Sequence, residues 1–159
     1  MYEINHNLKL GRHKLTDVVR GLENSVALNK IFGKKLKWIL NTTMVDVVSN
    51  PWQIWVSRET EIITINKNYL FETDKGTLYL DFVHEMVHIW QVTEGKDVFN
   101  RSVSYVDSPT EIEAYRYTVK DAERIGFSKK DIVDYLKVRW IDNEEHKRLV
   151  KAVITSDRT

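Results

Sequence analysis

Cysteine is absent from the 159-residue chain. That excludes disulfides and thiolate-ligated zinc, so any metal must be held by imidazoles and carboxylates. No stretch approaches the roughly 18 consecutive apolar residues of a membrane-spanning helix. The opening Met1-Tyr2-Glu3-Ile4-Asn5-His6 lacks the basic segment and following apolar run of a secretory leader. An excess of one charge is missing too: 24 Lys and Arg against 23 Asp and Glu leave a net +1, no reason to expect nucleic acid or an anionic membrane as partner. Short basic runs such as Lys34-Lys35-Leu36-Lys37 read as solvated element ends. There is no internal repeat, low-complexity tract or linker. The default expectation is a soluble, cytoplasmic protein folding as a single domain over residues 1–159. Lack of cysteine and scarcity of glutamine, with plentiful Lys, Glu, Ile and Val, hint at a thermophilic source.

Aromatic side chains are plentiful, with five Trp, seven Tyr and five Phe, in an ordinary balance of 42% hydrophobic and 30% charged residues. This is the composition of a globular domain. From Leu15 to Phe32 the positions Leu15, Val18, Val19, Leu22, Val26 and Leu28 approximate helical spacing, with Gly33 as a stop, and predict one amphipathic helix weakened by Gly21. The runs 44–48, 52–56 and 61–66 are short, β-branched and aromatic. Broken by Ser49-Asn50-Pro51 and Ser57-Arg58-Glu59-Thr60, they predict strands of a small sheet. Residues 96–107 show no period and read as a loop. Ser108 as N-cap and Pro109 at the first helical position then open a helix running through Arg124 and closed by Gly126. Ser128 caps a further helix reaching Trp140, a last amphipathic helix spans 143–153, and the tail 155–159 is expected to fray. The fold class that follows is α+β: a small N-terminal sheet packed on a buried helix, then a mainly helical C-terminal part.

That buried helix carries His84-Glu85-Met86-Val87-His88. Residues four apart share a helical face, so the two imidazoles point at one spot, and Glu85 can reach a water in an open coordination position there. With this chain's own His and Glu frequencies, an H-E-x-x-H spelling arises by chance about once in 100 such chains. The setting adds to the signal. Between Gly76 and Val92 the only acidic residues are Asp81 and Glu85, there is no Lys or Arg, and apolar residues fall on every side, which is the pattern of a buried helix. Burying two histidines and a carboxylate costs several kcal/mol unless they are paired or bind a metal. Gly95 ends the helix.

A hydrolytic zinc site needs a third protein ligand. The helix opened by Ser108 offers Glu111 and Glu113. Glu111 shares its face with Ala114, Tyr115, Thr118 and Ala122, which should pack inward, whereas Glu113 shares one with Arg116, Tyr117, Lys120 and Arg124, which should be solvated. Glu111 is therefore the expected ligand, with Glu113 as the alternative. Ser108-Pro109-Thr110-Glu111 is also a capping-box spelling, in which Glu111 would only reach back to its own helix end. His6, His13 and His146 stand without spaced partners and read as surface residues; the tryptophans read as core or cleft walls.

H-E-x-x-H on a buried helix followed by Glu111-Ile112-Glu113-Ala114 resembles the gluzincin zinc metallopeptidases, especially minimal soluble ones, over about residues 43–126. The wider wording Phe82 to Gln91 is similar to zincin active-site helices. The resemblance implies Zn2+ on His84, His88 and Glu111, catalysis by Glu85, peptide or protein substrates, and a strand beside the cleft that aligns the substrate, here most naturally Glu61 to Asn66. Tyr105, placed shortly before the ligand Glu, is implied as the group facing the oxyanion. One departure stands out: where many gluzincins carry an Asp bonded to a ligand imidazole, this chain has Tyr115.

The expected activity is zinc-dependent endopeptidase hydrolysis, with Glu85 as general base and acid. Two other readings accompany it. One is a latent or purely binding zinc domain whose acidic piece Asp142-Asn143-Glu144-Glu145 lies over the cleft; the other is a zinc hydrolase acting on something other than a peptide.

Overall fold

Residues 1–57 and 60–154 are described by the structure, a computed structural model. In chain order the elements are β1 (Glu3–Ile4), β2 (Gly11–Lys14), α1 (Leu15–Val18), β3 (Val19–Arg20), α2 (Val26–Phe32), α3 (Leu36–Thr42), β4 (Met44–Val48), β5 (Ile54–Val56), β6 (Ile63–Asn66), α4 (Lys67–Glu72), α5 (Lys75–Thr93), α6 (Pro109–Arg124), α7 (Lys129–Tyr135) and α8 (Asn143–Ile154). The class is α+β, with small sheets followed by a helical C-terminal part. The expected break at 57–60 is described only at its ends, and the tail 155–159 lies outside the described residues.

The three predicted strands form, but their order in space differs from their order in sequence. The main sheet runs β2-β4-β6-β5; β6 lies parallel to β4 and antiparallel to β5. Leaving β4, the chain passes to the outside, lays down β5 as an edge, and returns as β6 between them. Both sides of β6 are thus hydrogen-bonded, and Ile63, Thr64 and Ile65 are buried. The strand expected to align a substrate, Glu61 to Asn66, has no free edge. Among the described residues, the free edge beside the cleft belongs to β5.

The helix expected from Leu15 to Phe32 is broken in the middle. Val19–Arg20 pairs with Glu3–Ile4 as a second, two-stranded sheet, and Gly21 turns at φ 101°. A side chain at Gly21 would meet the Met1 carbonyl oxygen at 2.5 Å, so close backbone approach fixes glycine there. The helix restarts at Val26 because Ser25 caps it and because Asp121 of α6, fully buried, accepts hydrogen bonds from Ser25 Oγ at 2.7 Å, Val26 N–H at 2.9 Å and Ala27 N–H at 3.1 Å. A carboxylate at a helix N-terminus meets the positive end of its dipole. These contacts come from residues nearly a hundred positions away, which local periodicity does not register.

α5 is the centre of the fold. Asp74 caps it through Thr77 N–H at 3.0 Å, and Gly95 stands just past its end at φ 78°. From Leu78 to Ile89 every residue is buried except Asp81, which is half-buried with its carboxyl held between Tyr69 and Tyr135. α6 packs along it through Ala114, Tyr115, Thr118 and Ala122, the face expected to turn inward, and all four are buried. The next helix, α7, has a Ser128–Asp131 capping box but ends at Tyr135, five residues short of the expected Trp140.

Candidate metal centre

α5 and α6 bring together the residues that the spacing pointed to. His84, Glu85 and His88 form a buried group whose ligand atoms all lie within 4.8 Å of one another, positioned to bind a metal ion. A tighter triangle includes Glu111. His84 Nε2 lies 3.0 Å from Glu111 Oε1, His88 Nε2 lies 3.2 Å from the same oxygen, and the two Nε2 atoms are 3.1 Å apart. The two rings stand edge to face, their centroids 4.6 Å apart. In a tetrahedral zinc site with bonds of about 2.0–2.1 Å, neighbouring donor atoms sit about 3.3 Å apart, and this triangle is close to one such face. The donor set therefore fits a divalent cation.

Electrostatics point the same way. Burial pushes His84 down. At His88 burial acts in the same direction but is outweighed by the charge and hydrogen bond of Glu111, which bring it to about 9. Glu111, which burial alone would raise, is held well below the carboxylate range by His88 and by hydrogen bonds with both rings. A positive charge is favoured at this point, whether a proton or a metal supplies it.

Glu111 does not serve as a capping box for its own helix. Ser108 still accepts from Glu111 N–H, but the Glu111 carboxylate is turned to the histidines. Glu113 points elsewhere, accepting from Gln91 Nε2 at 2.9 Å and from Lys96 Nζ at 2.8 Å. Gln91 was not singled out by the sequence. It is fully buried, its Oε1 lies 2.7 Å from His88 Nδ1, and its Nε2 also donates to the Thr110 carbonyl at 2.9 Å. An Nδ1–H donated to that oxygen leaves the Nε2 lone pair of His88 facing the triangle. The i, i+3 spacing from His88 was the available signal.

His84 has no such partner. Its Nδ1 is the one buried side-chain nitrogen or oxygen without a hydrogen bond among the described residues. Tyr115 packs against the His84 ring, centroids 4.2 Å apart and planes tilted by 43°, instead of bonding it. The Tyr115 hydroxyl meets that of Tyr105 at 2.6 Å, and Tyr105 lines the same cleft as His84, Glu85, His88 and Glu111.

The cleft has a volume of about 1240 Å³. β5 with Trp52 and Gln53 forms one wall, and Tyr135 and the stretch Lys137 to Trp140 border it from the other part of the chain. Trp52, Trp55 and Trp140 are thus cleft walls; Trp90 packs edge-on against Tyr117, and Trp38 is exposed, neither core nor wall. Asp142 to Glu145 do not line the cleft. Asp142 and Glu145 bond reciprocally across the start of α8, so the acidic piece expected over the site caps its own helix. His6, His13 and His146 are half-buried, each ring placed against a backbone carbonyl, and none of them lines the cleft. Among the described residues, no helix is long and apolar enough to cross a membrane.

Compared with models of known protein families, with curated proteins and with solved structures, the chain has no match.

Proposed function

We propose that the chain is a zinc-dependent endopeptidase in which His84, His88 and Glu111 hold the ion and Glu85 handles the proton. One observation carries the reading: three acceptor atoms from two helices converge within 3.0–3.2 Å of one another at the wall of an open cleft. Glu85 lines the same cleft, one residue from the first imidazole. The arrangement matches the H-E-x-x-H and downstream Glu pattern that resembles gluzincins. Two imidazoles and one carboxylate, with no thiolate, suit zinc.

Zinc bound there would supply Lewis acidity toward a carbonyl oxygen and bring the pKa of water close to neutrality. The chain's own groups supply the rest. Glu85 takes the proton of the attacking water and returns it to the departing amine nitrogen. Burial pushes this carboxyl up to about 8 in the metal-free chain, so there it holds its proton at neutral pH; a divalent cation beside it would favour the carboxylate and free it to take the proton of water. With Tyr115 donating to the Tyr105 oxygen, the Tyr105 proton is free to face the developing oxyanion. The free edge of β5 offers backbone N–H and C=O groups to an extended peptide, which would add as a further strand. Since Tyr115 packs against His84 where the resembled family carries an acid, the ligands are oriented by ring contact at His84 and by Gln91 at His88.

The test is cleavage of an unstructured protein, such as reduced and alkylated casein, by the zinc-loaded chain, with fragments identified by mass spectrometry. Glu85→Gln should keep its zinc and cut about 10²–10⁴-fold more slowly. A zinc-loaded chain that leaves the protein whole while hydrolysing a small ester would overturn the choice of substrate.

A further inference from the structure

Asp81 is a cleft carboxylate that the proposed reaction leaves unused; of the others lining the cleft outside the metal centre, Asp74 and Asp131 cap helices and Asp134 pairs with Lys130. Asp81 precedes Glu85 by one turn of α5, so it shares the cleft face with His84, Glu85 and His88. Each of its oxygens is held by a phenol. Tyr69 of α4 donates to Oδ2, and Tyr135 of α7 donates to Oδ1 at 2.8 Å. Among the described residues, no Lys, Arg or His lies within ion-pair distance of it. Asp121, the fully buried acid, makes the contrast: Arg124 stands 3.0 Å away and three further donors surround it.

An oriented carboxylate without a counter-charge at the wall of a cleft is a receptor for a cation. Burial pushes Asp81 up to about 7, and an arriving positive charge would reverse that effect. The surroundings narrow the choice of cation. Tyr69, Phe127 and Tyr135 line the cleft along with Asp81, so the visitor has an apolar stem to lay against rings and a charge at its tip. Lysine and arginine side chains have that form. One helical turn is about 5.4 Å, and one extended residue spans about 3.3–3.6 Å, so a long side chain next to the reacting bond can reach from Glu85 to Asp81.

We propose that Asp81 forms a substrate-recognition subsite that receives the ammonium or guanidinium of a lysine or arginine adjoining the bond to be cut. The proposal rests on the peptidase reading for its substrate, but its test does not need turnover.

Glu85→Gln protein is titrated with hexapeptides bearing a single lysine at each position in turn, and with a matched set bearing the uncharged isostere norleucine. Binding is read from the fluorescence of the cleft tryptophans. At one position lysine should bind about 10-fold more tightly than norleucine or better, and adding Asp81→Asn should bring the ratio within about twofold while leaving norleucine binding unchanged. Tyr135→Phe, which keeps the charge, should keep the preference. Equal binding of lysine and norleucine with Asp81 in place overturns the proposal without recourse to any variant at that position, as does a preference that survives Asp81→Asn. A chain that binds lysine peptides selectively but cuts none contradicts the peptidase reading and retains the subsite; one that cuts without regard to charge does the reverse.

Discussion

Gln91 allows the proposed ligand set to be perturbed without touching a ligand. Its amide makes three hydrogen bonds from a fully buried position: 2.7 Å to His88 Nδ1, 2.9 Å to the Thr110 carbonyl and 2.9 Å to Glu113. Gln91→Leu has similar bulk and removes all three. His88 then loses the acceptor that fixes which nitrogen carries the proton, and partners of this kind are worth about 10–100-fold in metal affinity. At 1.4 kcal/mol per tenfold, that is about 1.4–2.8 kcal/mol. A separate loss falls on the metal-free fold, because the Thr110 carbonyl is left without its side-chain donor, at about 1–3 kcal/mol. Glu113 is less affected, since Lys96 still holds both of its oxygens at 2.8 and 2.9 Å. The two losses are measured apart: zinc dissociation by competition with a chromophoric chelator, and urea unfolding of chelated protein. Zinc binding within twofold of the parent, in a variant that unfolds cooperatively, would refute the view that Gln91 orients His88.

Two further variants test other parts of the account. Asp121→Ala removes the acceptor shared by Ser25, the start of α2 and Arg124, and should lower the unfolding free energy by about 3–5 kcal/mol, read by urea denaturation; a loss below about 1 kcal/mol would mean that α2 does not depend on this cap. Asp81, raised to about 7 in the fold from an ordinary 3.8, binds a proton more tightly folded than unfolded. Its stabilising effect is full below pH 4 and is lost as pH rises toward 7, by at most about 4 kcal/mol over three pH units. Asp81→Asn should therefore gain stability relative to the parent between pH 5 and pH 8 in thermal melts, and a constant difference across that range would contradict the desolvation of its carboxylate.

Much of the site could be read in the sequence because it depends on helical spacing alone. His84, Glu85 and His88 share a face of α5, and Glu111 was separated from Glu113 by its neighbours Ala114, Tyr115 and Thr118, which are buried. The start of α6 was equally local, written in Ser108-Pro109. What escaped depends on partners distant in sequence. Gly21 and Val19–Arg20 interrupt a helical pattern only because β1 pairs there. β6 could not be recognised as an interior strand because its place between β4 and β5 is a property of sheet order. Gln91 and Asp81 stand at helical intervals from the histidines, yet their roles come from Thr110, Tyr69 and Tyr135, each supplied by another element.

Metal stoichiometry of three matched proteins tests the central claim most directly. After saturation with zinc and exhaustive dialysis, native mass spectrometry should find one ion per chain in the parent and in Glu113→Gln, and none in Glu111→Gln. A parent chain that retains no zinc, or equal retention by the two glutamine variants, would contradict a centre built from His84, His88 and Glu111.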